Sequence, residues 1–382
     1  MKQRFCLLIG FLFITIHITG QQEDTSGYHF TFIKKLAATP VKDQYRTSTC
    51  WSFSALSMLE SELLLLNKGE YDLSEMFIVR NVYIKKAEKY IRMHGTISFD
   101  GGGALNDVID DIRVNGIMPE SAFSGKKVDT ANHVHAEMDE VLKGYLDGVL
   151  KNRNKRLSPV WKDGFCAILD SYLGPIPQAF NYYGKIMNAV EFSSRLGLDM
   201  DDYILLTSFT HHPFYSRFIL EVPDNWSWGE AYNVPIDELM QIIDYSLMNN
   251  HTLAWAADIS ENGFSFSKGL AIVSSERETK STGKKTQEDI FKPPLTETFV
   301  TQEIRQESFD NYLTTDDHGM HITGIAKDQD GNKFYYVKNS WGTGNPYQGY
   351  LFISEQFVRY KTLTLLINKN AIPKEIMKKL NL

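Results

Sequence analysis

Apolar positions recur at helical spacing in the first third of the chain and in short, strand-like runs in the last third. Residues 53–66 carry apolar side chains three or four positions apart, which predicts a helix that Ser48 or Thr49 can cap. A second helix is predicted from Ser74, and a third over residues 104–113. The first part of the mature chain is therefore expected to be helical.

The middle of the chain contains both helical and strand-like patterns of apolar residues. Residues 120–200 are mostly helical in pattern and charged. Beyond them, residues 203–206 and 252–257 predict strands, and residues 236–248 predict an amphipathic helix. Residues 274–289 hold Ser, Thr, Lys, Glu and Gly without a large apolar side chain, which predicts a mobile surface loop.

The last third is rich in strand patterns. Strands are predicted at 321–325, 333–339 and 349–354, and residues 373–382 predict a short helix with a proline in its first turn. The predicted organisation is an α+β fold with a helical lobe at 21–119, an insertion with cleft elements at 120–275, a mobile surface loop at 276–300 and a β-rich lobe at 301–382.

The first twenty residues have the pattern of a secretory signal. Lys2 and Arg4 precede an apolar run from residue 6 to 18, which at about 13 residues is shorter than the roughly 20 that span a bilayer. We expect residues 1–20 to be removed, which leaves an exported protein, periplasmic or secreted, without a membrane anchor.

The net charge and the cysteine content indicate which partners to exclude and whether the thiols are free. The net charge of −7 becomes −9 when Lys2 and Arg4 are removed (−7 − 2), and no basic stripe with interleaved aromatics is present, so a nucleic-acid partner is not expected. Three cysteines occur, and Cys50 and Cys166 remain after the signal. A disulfide between them would consume the candidate nucleophile, so both are expected to be free thiols, with Cys166 buried.

Gln44 and Cys50 form the first half of a candidate catalytic site. The amide lies six positions before the thiol (50 − 44), Trp51 follows it, and the predicted helix begins there. A helix N-terminus and an adjacent imidazolium favour thiolate, so we expect the thiol pKa to lie below its free value of about 8.5. The Gln44 side-chain amide and the Cys50 backbone N–H can stabilise an oxyanion.

The second half lies near the other end of the chain. His318 can act as base and acid, Asn339 can hold its imidazole in place, and Trp341 can shield the bond between them. His321 competes for the role of base, but it lies three residues further along the same strand and should face the opposite side, packed or on the surface.

These motifs together resemble the papain-like cysteine peptidases: Gln, then Cys-Trp six positions on, His-Gly, and Asn-Ser-Trp-Gly. The resemblance implies a two-lobed fold in which a left helical lobe carries Cys50 and a right antiparallel β lobe carries His318 and Asn339, with peptide substrates in the cleft between them and no cofactor. It also implies substrate-binding roles for Gly101 and Gly102, and Trp51 and Trp341 are expected beside the substrate.

Several features are similar to the bleomycin hydrolase, or aminopeptidase C, branch of that family. They are the long insertion, Thr47 where other relatives carry a disulfide cysteine, and only about 23 residues between the expected signal cleavage and Gln44. That branch forms hexamers, so a homo-oligomer is an open expectation. Ser48 departs from the family, which usually has glycine two positions before the nucleophile.

The end of the chain suggests a further expectation about activity. Residues 372–382 stop before the C-terminal arm by which the resembled branch enforces aminopeptidase trimming. An aminopeptidase that also accepts internal peptide bonds is therefore expected. Two alternatives stay open: another acyl-transfer enzyme on the same scaffold, such as a transglutaminase-like one, and a non-catalytic peptide-binding relative.

The adjacent His211 and His212 could indicate a metal site. No carboxylate or third ligand follows at a typical metal-binding spacing, so the pair is interpreted as two loop histidines and no metal is expected.

Overall fold

The computed structural model describes residues 27–127, 132–154, 156–273, 291 and 297–382. The predicted signal at 1–20 lies outside the described residues, as does most of the predicted mobile loop at 276–300. Within the described ranges, no helix is long and apolar enough to cross a bilayer.

Three helices build the lobe that precedes residue 119. They are α1 (Cys50–Leu65), α2 (Glu75–Arg92) and α3 (Leu105–Asn115). Ser74 caps α2 by accepting from the N–H of Phe77 at 3.0 Å. Residues 51–63 of α1 are buried, because α1 packs on α2 and α3 on one side and on strands of the other lobe.

The segment that follows adds smaller elements to the same apolar core. They are α4 (Ala136–Leu150), α5 (Val160–Tyr172), the hairpin β2 (Phe180–Tyr182) and β3 (Lys185–Met187), and α6 (Ala189–Leu196). Buried Leu142, Leu146 and Phe165 join α4 and α5 to that core.

The second lobe is a mixed, mostly antiparallel sheet. Its strands come from two stretches of chain: β4 (Tyr203–Thr207), β5 (Arg217–Ile219), β6 (Glu230–Asn233), β7 (Leu253–Ala257), β8 (Phe264–Ser265), β9 (Leu270–Ala271), β10 (His318–Lys327), β11 (Lys333–Lys338), β12 (Tyr350–Ser354) and β13 (Thr362–Asn368). Their order is β5-β6-β4-β13-β7-β10-β11-β12-β9-β8, and β1 (Thr31–Lys35) pairs with β10.

Helices cover the sheet where it is most apolar. They are α7 (Ile236–Met248), α8 (Gln302–Asp310), α9 (Glu355–Lys361) and α10 (Lys374–Leu380). The strand β10 lies between β7 and β11 in the middle of the sheet, and α1 packs against it. The start of α1 and the start of β10 therefore meet where the two lobes join.

Candidate active site

Cys50 is the first residue of α1 and a free cysteine, and the residue as a whole is half-buried. The predicted hydroxyl cap at Thr49 is wrong, because that hydroxyl lies 2.6 Å from the hydroxyl of Thr47 and makes no capping bond to the helix. The Thr49 carbonyl accepts instead from the N–H of Ser52 at 2.9 Å, which starts the helix. The first N–H groups of a helix have no partner within it, so they are available to the sulfur and to a substrate.

Gly319 lets the strand that carries His318 reach the start of α1. A methyl group at this position would lie 2.7 Å from the Ser54 hydroxyl and 3.1 Å from the Cys50 carbonyl oxygen. The first distance is shorter than real side chains show and the second is tighter than most, so the missing side chain of Gly319 allows β10 to approach the helix closely here. His318 and Cys50 consequently line the same cavity.

Asn339 fixes the orientation of the His318 ring. The Nε2–H of His318 donates to Asn339 Oδ1 at 2.7 Å, which leaves the lone pair on Nδ1. The Trp341 ring lies over the imidazole with centroids 4.6 Å apart, so it excludes water from the bond as predicted for an indole there. His318 is thus held as a neutral imidazole whose free nitrogen can take a proton.

Gln44 is held beside this pair by short hydrogen bonds. Its Nε2 donates to the Thr47 carbonyl at 2.8 Å, and its Oε1 accepts from the Ser340 hydroxyl at 2.6 Å. The Gln44 N–H also donates to the Ser340 carbonyl at 2.9 Å. One hydrogen of the Nε2 group is engaged by Thr47, which leaves the second for another acceptor, although Gln44 is buried and does not itself line the cavity.

The charge states of the Cys50 thiol and the His318 imidazole differ from the sequence-based prediction. Burial raises the pKa of the Cys50 thiol to about 12, the Asp224 carboxylate acts in the same direction, and N–H groups of Gly319 and Trp51 oppose them. The prediction that this pKa lies below 8.5 is therefore wrong for the protein by itself. Burial also lowers the pKa of His318 to about 4, against the effect of its bond to Asn339. The neutral thiol and neutral imidazole are the favoured forms.

The predicted substrate-binding residues fall into two groups. Trp51 lines the cavity with Cys50, and its indole N–H donates to the Gly101 carbonyl at 3.1 Å. Gly101 and Gly102 are buried beside the cavity and do not line it, whereas Gly103 does. Trp341 acts on the cavity only through His318.

Ser48 is accommodated by Gly101. Its Cβ lies where a side chain on Gly101 would be, since a methyl group on that glycine would come within 3.2 Å of it. Ser48 itself is exposed and does not line the cavity. The unusual side chain at this position therefore packs against the glycine pair and leaves the cavity open.

Sequence reasoning missed the acidic wall of the cavity. Asp224 and Asp316 line it together with Cys50, and the Asp224 N–H donates to an Asp316 carboxylate oxygen at 2.6 Å. Asp316 and Asp317 directly precede His318, which is the signal that could have drawn attention to them. Asp224 lies in a loop without periodicity, 94 residues from His318 (318 − 224), and carries no such signal.

His321 is buried on the far side of β10, in a separate polar cluster. Its Nδ1 lies 2.9 Å from the Ser57 hydroxyl, to which the ammonium of Lys338 also donates at 2.8 Å. Burial and the neighbouring Lys338 charge lower the pKa of His321 well below its ordinary value. This histidine is packed against α1 and is engaged away from Cys50.

The histidine pair of the middle segment has a carboxylate neighbour that the sequence did not indicate. Nε2 of His211 and of His212 lie 3.2 and 3.0 Å from the two carboxylate oxygens of Glu221, and the three residues could hold a metal ion. The expectation that no third ligand is near is therefore wrong.

The hydrogen bonds around His211 determine which nitrogen carries its proton. Gln306 accepts from the Thr210 N–H through Oε1 and donates to Asp310 through Nε2, so its Nε2 faces the His211 Nδ1 as a donor at 3.0 Å. His211 consequently carries its proton on Nε2, which donates to Glu221, and this tautomer does not offer Nε2 to a metal.

A model of the Peptidase C1-like family matches residues 178–382, more than half of the chain. The chain is 20% identical over 394 aligned residues to a bleomycin hydrolase of Gallus gallus, covering 88% of this chain and 82% of the relative. It is 22% identical to an aminopeptidase C of Listeria monocytogenes, covering 92% and 85%.

The crystal structure of PepW from Lactobacillus rhamnosis has a similar fold. It matches with a TM-score of 0.70 at 19% identity, over 92% of this chain and 84% of that one. The predicted α+β, papain-like fold class and the resemblance to the bleomycin hydrolase and aminopeptidase C branch are thereby confirmed.

Proposed function

The chain belongs to the Peptidase C1-like family and is a cysteine peptidase, and on that premise we propose that it is an aminopeptidase that forms its acyl-enzyme on Cys50. In this proposal His318 is base and then acid, Asn339 positions it, and Gln44 contributes to the oxyanion site. Removal of residues from the amino end of peptides is suggested by the relatives, one of which is named an aminopeptidase.

The observation that carries the assignment is the bond between His318 Nε2 and Asn339 Oδ1, which is 2.7 Å long and lies beside Trp341, because it orients a histidine that lines the same cavity as Cys50. Because Nε2 is occupied, only Nδ1 can take the thiol proton. A base held in one tautomer next to a thiol at a helix N-terminus is the arrangement that nucleophilic catalysis requires.

The first step creates two charges from two neutral groups. The sulfur attacks the carbonyl carbon of the scissile bond while its proton moves to His318 Nδ1, so the net charge of the buried site does not change. The carbonyl oxygen becomes an oxyanion, for which the Cys50 N–H and the second Nε2 hydrogen of Gln44 are the donors. The imidazolium that forms is stabilised by its bond to Asn339.

The second step returns the proton. His318 gives it to the leaving amine as the C–N bond breaks, which leaves a thioester on Cys50. Water then attacks the thioester, loses its proton to the same Nδ1, and releases the acid while the thiol is restored. One histidine therefore serves as base and acid in both halves of the reaction.

The proposal is tested by covalent labelling with a peptide-based epoxide followed by mass spectrometry. We expect one adduct, on Cys50, that is lost in Cys50→Ala and falls by roughly 100-fold or more in rate in His318→Ala. Cys166→Ala is the matched control, since that thiol is free and lies on α5, outside the cavity. It should leave labelling and peptide hydrolysis unchanged.

Two results would contradict the proposal. Equal labelling of Cys50 and Cys166 would mean that the site does not activate its thiol. Unaltered labelling of Cys50 in His318→Ala would remove the base from the mechanism, and a non-catalytic peptide-binding role would then be the better account.

A further inference from the structure

The loop between β5 and β6, residues 220–229, reaches from the sheet to the helical lobe. Trp226 donates its indole N–H to Asp107 on α3 at 2.8 Å, and Asn106 donates to the Ser227 hydroxyl at 3.1 Å. The Lys89 ammonium on α2 lies 3.4 Å from the centre of the Trp228 ring. Three contacts thus hold this loop across the junction of the lobes.

The same loop forms one wall of the cavity that holds the thiol. Leu220, Val222, Asp224, Asn225 and Gly229 all line it with Cys50 and His318. The loop conformation is fixed from within, because Asn225 donates to the carbonyls of Leu220 and Gly229 and accepts from the Gly229 N–H at 2.8 Å. The wall is therefore built in place and does not depend on a ligand to form.

Asp224 places a carboxylate in this wall without a cation of its own. Among the described residues, no Lys, Arg or His nitrogen lies within 4.0 Å of it. The buried ammonium of Lys86, whose charge acts on Asp224, is engaged by the Gly102 carbonyl at 2.8 Å and by Asp100 at 3.2 Å. A partly buried carboxylate without a partner in a substrate cavity is a receptor for a positively charged group.

The position of this carboxylate also limits the length of a substrate. A side chain on Gly102 would collide with the carboxylate of Asp224, so Asp224 covers that glycine. A substrate backbone cannot extend along Gly102 while the carboxylate is there. The chain on the amino side of the scissile bond must end near Asp224, inside the cavity.

The rest of the cavity suits an uncharged side chain. Its lining beyond the carboxylates is mostly apolar and includes Leu205, Ala231, Ala256 and Leu363. The cavity and its open mouth together enclose about 600 Å³ of space, open solvent included. A residue with an apolar side chain and an adjacent charged amine has the chemistry that matches both parts.

We propose that Asp224 is a specificity-determining residue that binds the α-ammonium group of the substrate, so that the enzyme selects peptides with a free amino terminus and an apolar first residue. This inference rests on the proposed function, since it places the amino terminus relative to Cys50. Selection for a free amino terminus is thereby assigned to the loop at residues 220–229.

Binding of the amine also changes the charge near the nucleophile. The Asp224 carboxylate disfavours the thiolate of Cys50, in the same direction as burial. An ammonium on Asp224 cancels that effect, so the thiol becomes easier to ionise when the correct substrate is present. No bond is made or broken by Asp224 in this step.

The pH range of the effect follows from the groups that face Asp224. Burial and the Asp316 carboxylate raise the pKa of Asp224 to about 7, Asp100 and Asp107 act with them, and Lys86 acts against them. A peptide amine loses its proton near pH 8. The ion pair therefore exists mainly between about pH 7 and 8, and preference for a free amine should decline on both sides of that range.

The test compares leucine and glycyl-leucine coumarylamides with their N-acetylated forms at pH 7.5. We expect the native enzyme to prefer the free amine in at least one of the two pairs. Asp224→Asn should lower kcat/KM for that free substrate by roughly 10-fold or more, whereas kcat/KM for the acetylated one should not fall. Asp163→Asn, an exposed carboxylate on α5, is the matched control and should change neither.

A second measurement gives a readout that a structural role would not alter. Removal of the negative charge in Asp224→Asn should raise the alkylation rate of Cys50 by iodoacetamide at fixed pH and shift the rate profile to lower pH. If the variant fails to fold, the pH dependence of the free-to-acetylated ratio of the native enzyme still decides the matter.

The outcomes separate this inference from the proposed function. Hydrolysis with Cys50 labelling, but with equal rates on free and acetylated peptides, would overturn the role of Asp224 alone. The same holds if Asp224→Asn is folded and keeps the native preference. Absence of both hydrolysis and Cys50 labelling in the native protein would overturn the proposed function, and this inference with it.

Discussion

At the scale of single residues, the geometry of the site depends on a missing side chain as well as on the side chains that are present. Gly319 has no side chain, and that absence brings His318 onto the helix that carries Cys50. Asn339 contributes one oxygen, which accepts from the His318 ring and from the Ser340 N–H at 2.7 Å each. Small groups therefore set the geometry in which the sulfur and the imidazole work.

Gly319→Ala should lower the activity of the enzyme, although it removes no functional group. The added methyl would press on the Ser54 hydroxyl and the Cys50 carbonyl, so β10 or α1 must shift. We expect kcat/KM to fall by roughly 10- to 100-fold and stability by about 1–3 kcal/mol. Peptide hydrolysis and chemical denaturation measure the two effects.

Ser54→Ala supplies the control for this prediction. It removes the closer of the two obstacles, so it should recover part of the activity in the Gly319→Ala background and have little effect in the native one. Full activity of Gly319→Ala alone would show that β10 can accommodate a methyl group at this position, which would contradict the structure.

The sequence indicated candidate residues more readily than their pKa values. Gln44, Cys50, His318 and Asn339 could be selected as candidates because each motif is local in the sequence, and their catalytic roles remain predictions. The thiol pKa could not be predicted, because burial by residues from both lobes and the charge of Asp224 determine it. Those contributions arise only from the packed structure.

At the scale of elements, local pattern gave good boundaries. The helix predicted at 236–248 is α7, Ile236–Met248, and the strands predicted at 203–206 and 333–339 agree with β4 and β11 to within one residue at each end. What could not be predicted is that β4 and β7 pair with β13. Such pairing joins segments more than 100 residues apart, and a period in the sequence contains no information about it.

Two glycines on neighbouring helices should respond in opposite ways to the same change. Gly144 on α4 has nothing within 4 Å of where a side chain would be, whereas a side chain on Gly164 of α5 would collide with the Tyr145 hydroxyl. Gly144→Ala should stabilise the protein by about 0.5–1 kcal/mol through helix propensity. Gly164→Ala should destabilise it by about 1–3 kcal/mol, because the Tyr145 ring must move and its hydroxyl then loses its bond to the Trp161 carbonyl.

Thermal unfolding of the two variants beside the native protein measures both effects. The pair forms its own control, because each variant makes the same chemical change in the interior of a helix. A lower melting temperature for Gly144→Ala, or an unchanged one for Gly164→Ala, would contradict the packing of these helices.

At the scale of the whole molecule, buried acids link stability to pH. Burial raises the pKa of Glu297 to about 7, against the effects of its bonds to Ser354 and Val273. Between the ordinary pKa of about 4.5 and 7 the folded protein keeps a proton that the unfolded chain has lost. The contribution of this group is therefore present at low pH and is lost as pH rises to 7.

Glu297→Gln should remove this dependence. The amide oxygen can still accept from the Val273 N–H and the Ser354 hydroxyl, which the carboxylate binds at 2.6 and 2.5 Å. Relative to the native protein, we expect the variant to gain roughly 1–3 kcal/mol between pH 5 and 8. Denaturation curves at both pH values measure it, and a constant difference would contradict the assigned shift.

The position of β10 also governs when the enzyme can first act. Cys50 leaves the ribosome 268 residues before His318 (318 − 50), and β10 acquires its neighbour β11 later still. At about 5–20 residues per second this interval is on the order of 10–50 s. In the proposed mechanism the thiol therefore has no base beside it during synthesis, and we expect the growing chain to be inactive. Activity would then begin only when the central sheet is complete.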